Sequence, residues 1–349
     1  MPNATYVGFT GTPTDECIHV FGGVVDKYTM REAVRDGITV DIKYIPRLAR
    51  VAMNKEQADA IEAYYKMCAD EGATPEDIAK SKQAMSSMNE ILGNEERITR
   101  VAQDIAVHYE TMCADKSDVV QKAMIVCSER EIAYKMYCAL REIRPEWFVP
   151  RRAEDESTLT EEELQKLKEL PMVNIVATRN KDDKPQEMYD LLGDKPYRKM
   201  LDEQFKEEKS NFRIAIVVDM WITGFDVPCL SVLYNDKPLQ KHSLVQTISR
   251  VNRKYPGKEY GLIVDYIGIH DNMQQALKMY GGDEIGISDD ELAIAKEAFA
   301  NELQIIKELM HDFNLAEFFT ATPFRRLFIL QEAAEFVIGR VRAEKPSFK

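Results

Sequence analysis

No run in the 349 residues approaches the ~18 consecutive apolar residues that a membrane-spanning helix needs. The opening Met1-Pro2-Asn3-Ala4 lacks a basic stretch followed by an apolar one, so no secretory leader is expected and the chain is expected to be cytoplasmic. Cysteine is scarce and scattered: Cys17, Cys68, Cys113, Cys127, Cys138 and Cys229 contain no CxxC pair, which speaks against a disulfide framework and against zinc. The histidines never stand four apart beside a Glu or Cys, so no metal held by this chain is expected. The phosphate-binding pattern GxxxxGK[ST] is missing, and Pro256-Gly257-Lys258-Glu259 has neither the upstream glycine nor the Ser/Thr. Asp15-Glu16-Cys17-Ile18-His19 has one residue too many for a DExH box and follows a proline turn rather than a strand end. There is no Ser-His-Asp nucleophile elbow and no PD…(D/E)xK nuclease core. Alone, the chain lacks what firm binding of a magnesium nucleotide requires.

What is present is an ordinary globular composition, 45% hydrophobic and 30% charged, long enough for two or three compact units. The net charge of −13 argues against a protein that coats nucleic acid by charge alone. It leaves room for one narrow basic track, because contact is decided by local potential. The acidity is concentrated in Glu154–Glu156, Glu161–Glu163, Asp283-Glu284 and Asp289–Glu291, which read as solvated faces or linkers.

Tyr6–Thr10 reads as a short strand that breaks into Gly11-Thr12-Pro13, followed by a short helix over Thr29–Arg35 and a half-buried strand over Ile38–Tyr44. From Asn54 to about Asp115 the apolar spacing is helical. Then the rhythm becomes strand and helix in alternation. Ala123–Cys127, Val173–Ala177, Arg213–Val218, Val232–Tyr234 and Gly261–Asp265 are apolar strand-like runs, with helices near Glu129–Arg144, Pro196–Lys209 and His242–Arg253. Continuous apolar strands between helices predict an α/β fold with a parallel sheet covered on both faces. Arg151–Leu170 is a charged insertion, and the tail from about Asp289 is helical.

The stretch from Val218 to Arg253 carries the chemistry. On a helix over 244–253, Gln246, Arg250 and Arg253 fall within roughly 60° of one another, while Leu244, Ile248 and Val251 face the other side. Two guanidiniums and an amide on one face suit phosphate oxygens that gain charge during phosphoryl transfer. Two arginines on a helix are more often simply solvated, so their company decides the reading.

That company is a set of four motifs in order. Gln246-x-x-x-Arg250-x-x-Arg253 resembles the sixth signature motif of superfamily 2 helicases. Val218–Pro228, containing Gly224-Phe225-Asp226, resembles the fifth, Gly8–Pro13 the third, and Cys127-Ser128-Glu129-Arg130 stands where the fourth belongs. The wording "GFTGTP", "DKYTMREAVRDGITVDIKY", "DMWITGFDVP" and "LVQTISRVNR" closely resembles the R (restriction and motor) subunits of type I restriction-modification enzymes, over roughly residues 6–45 and 115–275.

The resemblance implies a RecA-like second motor domain with the following roles. Arg250 and Arg253 would act across a cleft on ATP with Mg held mainly by another domain, with Arg253 as the preferred finger, and Gln246 would couple nucleotide state to closure. Gly224 and Asp226 would line the nucleotide side. Thr223, Ser128 and Arg130 would touch the DNA backbone, and Thr10, Gly11 and Thr12 would link the motor domains. Implied partners are double-stranded DNA and the modification and specificity subunits. The nuclease, phosphate loop and acidic box would lie upstream, so a fragment is expected, inactive alone. The expected division is 1–53 as the end of a first motor domain with a connector, 54–115 as a helical insertion, 116–285 as the second motor domain and 286–349 as a helical region. Two alternatives remain: another superfamily 2 DNA helicase, and a RecA-like binding module without turnover.

Overall fold

The computed structural model describes residues 7–8, 19–26, 28–47, 86, 88–115, 120–222, 224–239, 241–267 and eight single positions between 313 and 336. Of the expected strand over 6–10 only residues 7 and 8 are described, and they form no strand; Thr10, Gly11 and Thr12, the segment 54–85 and Thr223 lie outside the described residues. The chain divides into two compact units, Met1–Ile285 and Gly286–Lys349. In the second, Phe313 and Phe336 pack with ring centroids 5.4 Å apart, and Arg325 pairs with Glu332 at 3.0 Å.

The first unit is built on a six-stranded sheet in which every pairing is parallel. Its strands in chain order are β1 (Asp41–Pro46), β2 (Lys122–Cys127), β3 (Val173–Val176), β4 (Ile214–Val217), β5 (Leu230–Asp236) and β6 (Tyr260–Asp265). Their order across the sheet is β1-β6-β5-β2-β4-β3. Every residue of β2, β3, β4 and β5 is buried, as continuous apolar runs require when both faces are covered. This is the parallel α/β architecture expected from the sequence.

The helices are α1 (Met30–Arg35), α2 (Glu95–Asp115), α3 (Arg130–Ile143), α4 (Glu161–Lys166), α5 (Gln186–Leu192), α6 (Lys195–Lys206) and α7 (Lys241–Ile248). From β2 the chain crosses through α3 to β3 in one direction along the sheet. It returns through α5 and α6 to β4, and through α7 from β5 to β6, in the other. Right-handed crossovers in opposite directions place their helices on opposite faces. The helix α2 packs along α3 and buries Ile98, Val101, Ala102 and Ile105 in the core. Each of the larger ones, Ile98, Val101 and Ile105, contributes about 1.5–3 kcal/mol of transfer free energy.

Two expectations change here. Helix 95–115, assigned to an insertion, is a core helix of the sheet domain. The strand assigned to a connector is the sheet's edge: β1 pairs with β6 from Asp41↔Tyr260 to Pro46↔Asp265. Its half-exposed alternation hid that partner, because an edge strand has only one neighbour to bury it. The charged insertion is closed at its base by paired hydrogen bonds between Arg151 and Leu170, at 3.1 and 3.0 Å.

Two buried polar devices fasten the scaffold. Arg97 on α2 forms a two-pronged ion pair with Asp236 at the end of β5, at 2.5 and 3.2 Å, with both side chains almost wholly buried. Burial pushes the Asp236 carboxyl up, against the pull of Arg97. Lys122 on β2 reaches the end of α6 and donates to the carbonyls of Phe205 at 2.5 Å and Glu207 at 2.7 Å. It thereby satisfies carbonyls that a helix end leaves without partners.

Candidate functional site

Between β4 and β5 the chain must travel from the carboxyl end of one parallel strand to the amino end of the next. Residues 218–229 make that passage, and their middle is Gly224-Phe225-Asp226. Gly224 sits at φ +72°, with open space where a β-carbon would stand. Its backbone is therefore exposed to anything that approaches. Phe225 is buried, and Asp226 points to solvent with 58% of its side chain exposed.

The arginine motif meets this loop from the other side. The helix α7 ends at Ile248, five residues earlier than the sequence pattern predicts. The chain tightens through Arg250 N–H to Thr247 O and Val251 N–H to Ile248 O, both 3.1 Å. It then straightens, because Val40 N–H binds Asn252 O at 2.8 Å and Thr39 bridges Arg253. Gly261 of β6 makes room for that turn: a β-carbon there would stand 2.2 Å from Val251 O. The expected single helical face of Gln246, Arg250 and Arg253 is thus corrected to a helix, a turn and an extended residue. The β-bridge to Thr39 demands extended backbone where a helix would have continued.

The correction still brings the residues together. Arg250 is turned inward: its Nη1 donates to Phe225 O, its Nε to Gln246 O at 3.0 Å, and its Nη2 to Ser249 Oγ at 3.0 Å. Burial, then the charge of Arg253, pulls the Arg250 guanidinium below its ordinary pKa, and Asp226 partly offsets this. Arg253 lies outside, 46% exposed, with its Nε 3.1 Å from the Asp226 carboxylate. Of the two guanidiniums, Arg250 clamps the loop and Arg253 is presented to solvent beside a carboxylate it can exchange. The side chain of Gln246 is half-buried beside them, and the backbone carbonyl of Gln246 accepts from Arg250 Nε and from Ser249 Oγ at 2.7 Å.

Ser128 and Arg130 form a separate cluster after β2. Arg130 pairs with Asp183 at 3.0 Å, and Ser128 Oγ is buried without a hydrogen-bond partner. Sequence reasoning missed Asp183 and the Phe225 carbonyl as partners, since neither a backbone acceptor nor a carboxylate 53 residues away leaves a local pattern. Among the described residues no three His, Cys, Asp or Glu side chains gather as metal ligands, and no helix is long and apolar enough to cross a membrane.

Residues 105–268 match the family model "Type I restriction enzyme subunit R domain 3", and residues 1–76 match "SWI2/SNF2 ATPase". The chain is 33% identical over 288 residues to the HindI endonuclease subunit of a type I restriction enzyme of Haemophilus influenzae, covering 80% of this chain and 24% of that protein. It is 32% identical over 288 residues to the MjaIXP endonuclease subunit assigned to a type I restriction enzyme of Methanocaldococcus jannaschii, covering 81% and 25%. The chain thus spans about a quarter of the length of these relatives. Among solved structures, a fragment assigned as the HsdR subunit of a type I restriction enzyme from Vibrio vulnificus aligns with 16% identity and a TM-score of 0.46, over 78% of this chain and 41% of that one.

Proposed function

The chain belongs to the family of type I restriction enzyme R subunits, as a homologue of about a quarter of their length, and from that premise we propose that it supplies the second half of an ATPase cleft in a DNA-translocating endonuclease subunit. The observation that carries the reading is the convergence of Arg250, Arg253, Asp226 and Gly224 from two separate motifs on one exposed spot.

The residues present fit a nucleotide offered from across a cleft. One presented guanidinium, that of Arg253, with an open glycine backbone and an exposed carboxylate, matches phosphate oxygens and ribose hydroxyls. ATP with Mg supplies a phosphoryl group whose oxygens gain charge in the transition state. Arg253 faces that charge once its half-exposed pair with Asp226 opens, a pair worth on the order of 0–1 kcal/mol. Arg250 keeps the Gly224–Asp226 loop in place. Asp226 accepts from the ribose, and Gln246, whose backbone carbonyl accepts from Arg250, relays closure to α7. The DNA contacts belong to Thr223, Ser128 and Arg130 and are made to the backbone, because a translocase must ignore sequence. Thr10, Gly11 and Thr12 would join the two motor domains, and the modification and specificity subunits would complete the assembly. In this reading the chain alone does not turn over ATP.

The test is ATP hydrolysis stimulated by double-stranded DNA, measured for this chain and for an intact R subunit carrying it in its complex, with and without Arg253→Ala. No turnover by the chain and a kcat lowered about 10³-fold in the substituted complex support the shared cleft. A substitution without effect favours the RecA-like binding module instead.

A further inference from the structure

Among the described residues, Trp221 is the one non-glycine with a left-handed backbone, φ 67°. A β-carbon makes that conformation costly, so it persists where the surroundings impose it. Here the surroundings are aromatic. The Trp221 ring lies flat on Phe225, centroids 4.0 Å apart and planes 5° apart, and against Phe205 of α6 at 5.2 Å and 29°. Phe212 closes one flank, 4.8 Å from Phe205. The stack is capped by two ammonium groups, Lys206 5.0 Å from the Phe225 centroid and Lys122 4.9 Å from that of Phe205. Trp221 and Phe225 are both nearly buried, yet Phe225 is flanked by Gly224 and Asp226, which are exposed. The ring of Phe225 is therefore held inside while its carbonyl receives Arg250 and its neighbour Asp226 receives Arg253.

We propose that Trp221 is a positioning residue: with Phe205 and Phe225, which also stack on each other at 6.1 Å, it forms a three-ring cluster that fixes the Gly224–Asp226 loop against α6, and so sets where Arg250 clamps the loop and where Arg253 is presented. This rests on the cleft reading given above. The ring and the backbone can be separated by mutation. Trp221→Gly removes the ring and also relieves the left-handed φ, so it is read beside Trp221→Leu, which loses the aromatic stack but keeps the β-carbon and its backbone preference. Trp221→Phe keeps an aromatic surface, and Trp221→Leu keeps bulk without one.

The experiment pairs amide hydrogen exchange on the 349-residue chain with DNA-stimulated ATP hydrolysis in the intact complex. The expected result is faster exchange in Trp221→Gly at residues 224–228 and 249–253, with the strands unchanged. Turnover should fall about 10²-fold in kcat, the scale for a misplaced catalytic group, with KM for ATP little altered and with both effects largely reversed in Trp221→Phe. Parent-like exchange in those segments overturns the proposal, as does full turnover in Trp221→Gly when Arg253→Ala abolishes it. If Arg253→Ala leaves turnover intact, the cleft reading has failed and exchange alone judges Trp221. Should Trp221→Gly fail to fold, Trp221→Leu decides on the same two measurements.

Discussion

Arg253 and Asp226 meet at 3.1 Å with both side chains about half exposed, whereas Arg97 and Asp236 meet at 2.5 Å with both almost fully buried. The same chemical pair thus serves two ends. In water the attraction is screened and the pair opens cheaply. In the interior either charge left alone is intolerable.

Asp226→Asn tests the first case. Its unfolding free energy is expected to lie within about 1 kcal/mol of the parent in urea titrations. A loss of several kcal/mol would mean that the pair holds the loop together and that Arg253 is not available for exchange.

Arg97→Ala tests the second. It leaves Asp236 buried without its partner and is expected to cost about 3–5 kcal/mol, read as a lowered urea midpoint at unchanged slope. Replacing both residues by Met and Leu is expected to recover most of that loss, since an apolar pair of similar size carries no desolvation cost.

Acidity should act through the buried lysines. Burial pulls the Lys122 ammonium down to about 7 and that of Lys258 to about 8, from an ordinary 10.5. Between those values the unfolded chain binds more protons than the folded one, so stability rises with pH from about 7 upward toward 10.5. Below about 7 both states are protonated and this contribution is flat. Melting curves at a series of pH values should show the rise. Lys122→Met should reduce it, leaving the part due to Lys258, while two carbonyls are left short of a donor at about 1–3 kcal/mol each.

Gly261→Ala places a β-carbon 2.2 Å from the Val251 carbonyl oxygen. The turn carrying Arg250 and Arg253 must shift away from β6, and a destabilisation of about 1–3 kcal/mol is expected. Faster amide exchange over 249–253 would locate the damage. An unaltered denaturation curve would show that the contact relaxes without cost.

Much of this architecture is legible in the residues themselves. Ala123–Cys127 and Gly261–Asp265 announce buried strands because a strand covered on both faces needs no polar alternation. The partner of a strand is another matter. Asp41–Pro46 carries the pattern of a half-buried strand, but nothing local says that β6 is its neighbour. Arg250, Arg253, Gly224 and Asp226 were nameable as a set through their motifs. Their division into clamp and presented guanidinium was not, because it depends on a helix ending at Ile248 and on a backbone carbonyl at Phe225. The role of Trp221 was hidden for the same reason: Phe205 stands on a helix that precedes β4.

The edge pairing has a consequence for the order in which the molecule can form. Tyr44 Oη donates to Asp265 at 2.6 Å across 221 residues of sequence. At a synthesis rate of about 5–20 residues per second, β1 leaves the ribosome roughly 10–40 s before the strand it needs. Its other four companions in the sheet cannot shelter it meanwhile, since β6 must lie between. The nascent chain therefore carries a strand without a home while those 221 residues are made, and the pairing is a late, long-range event of the kind that slows folding.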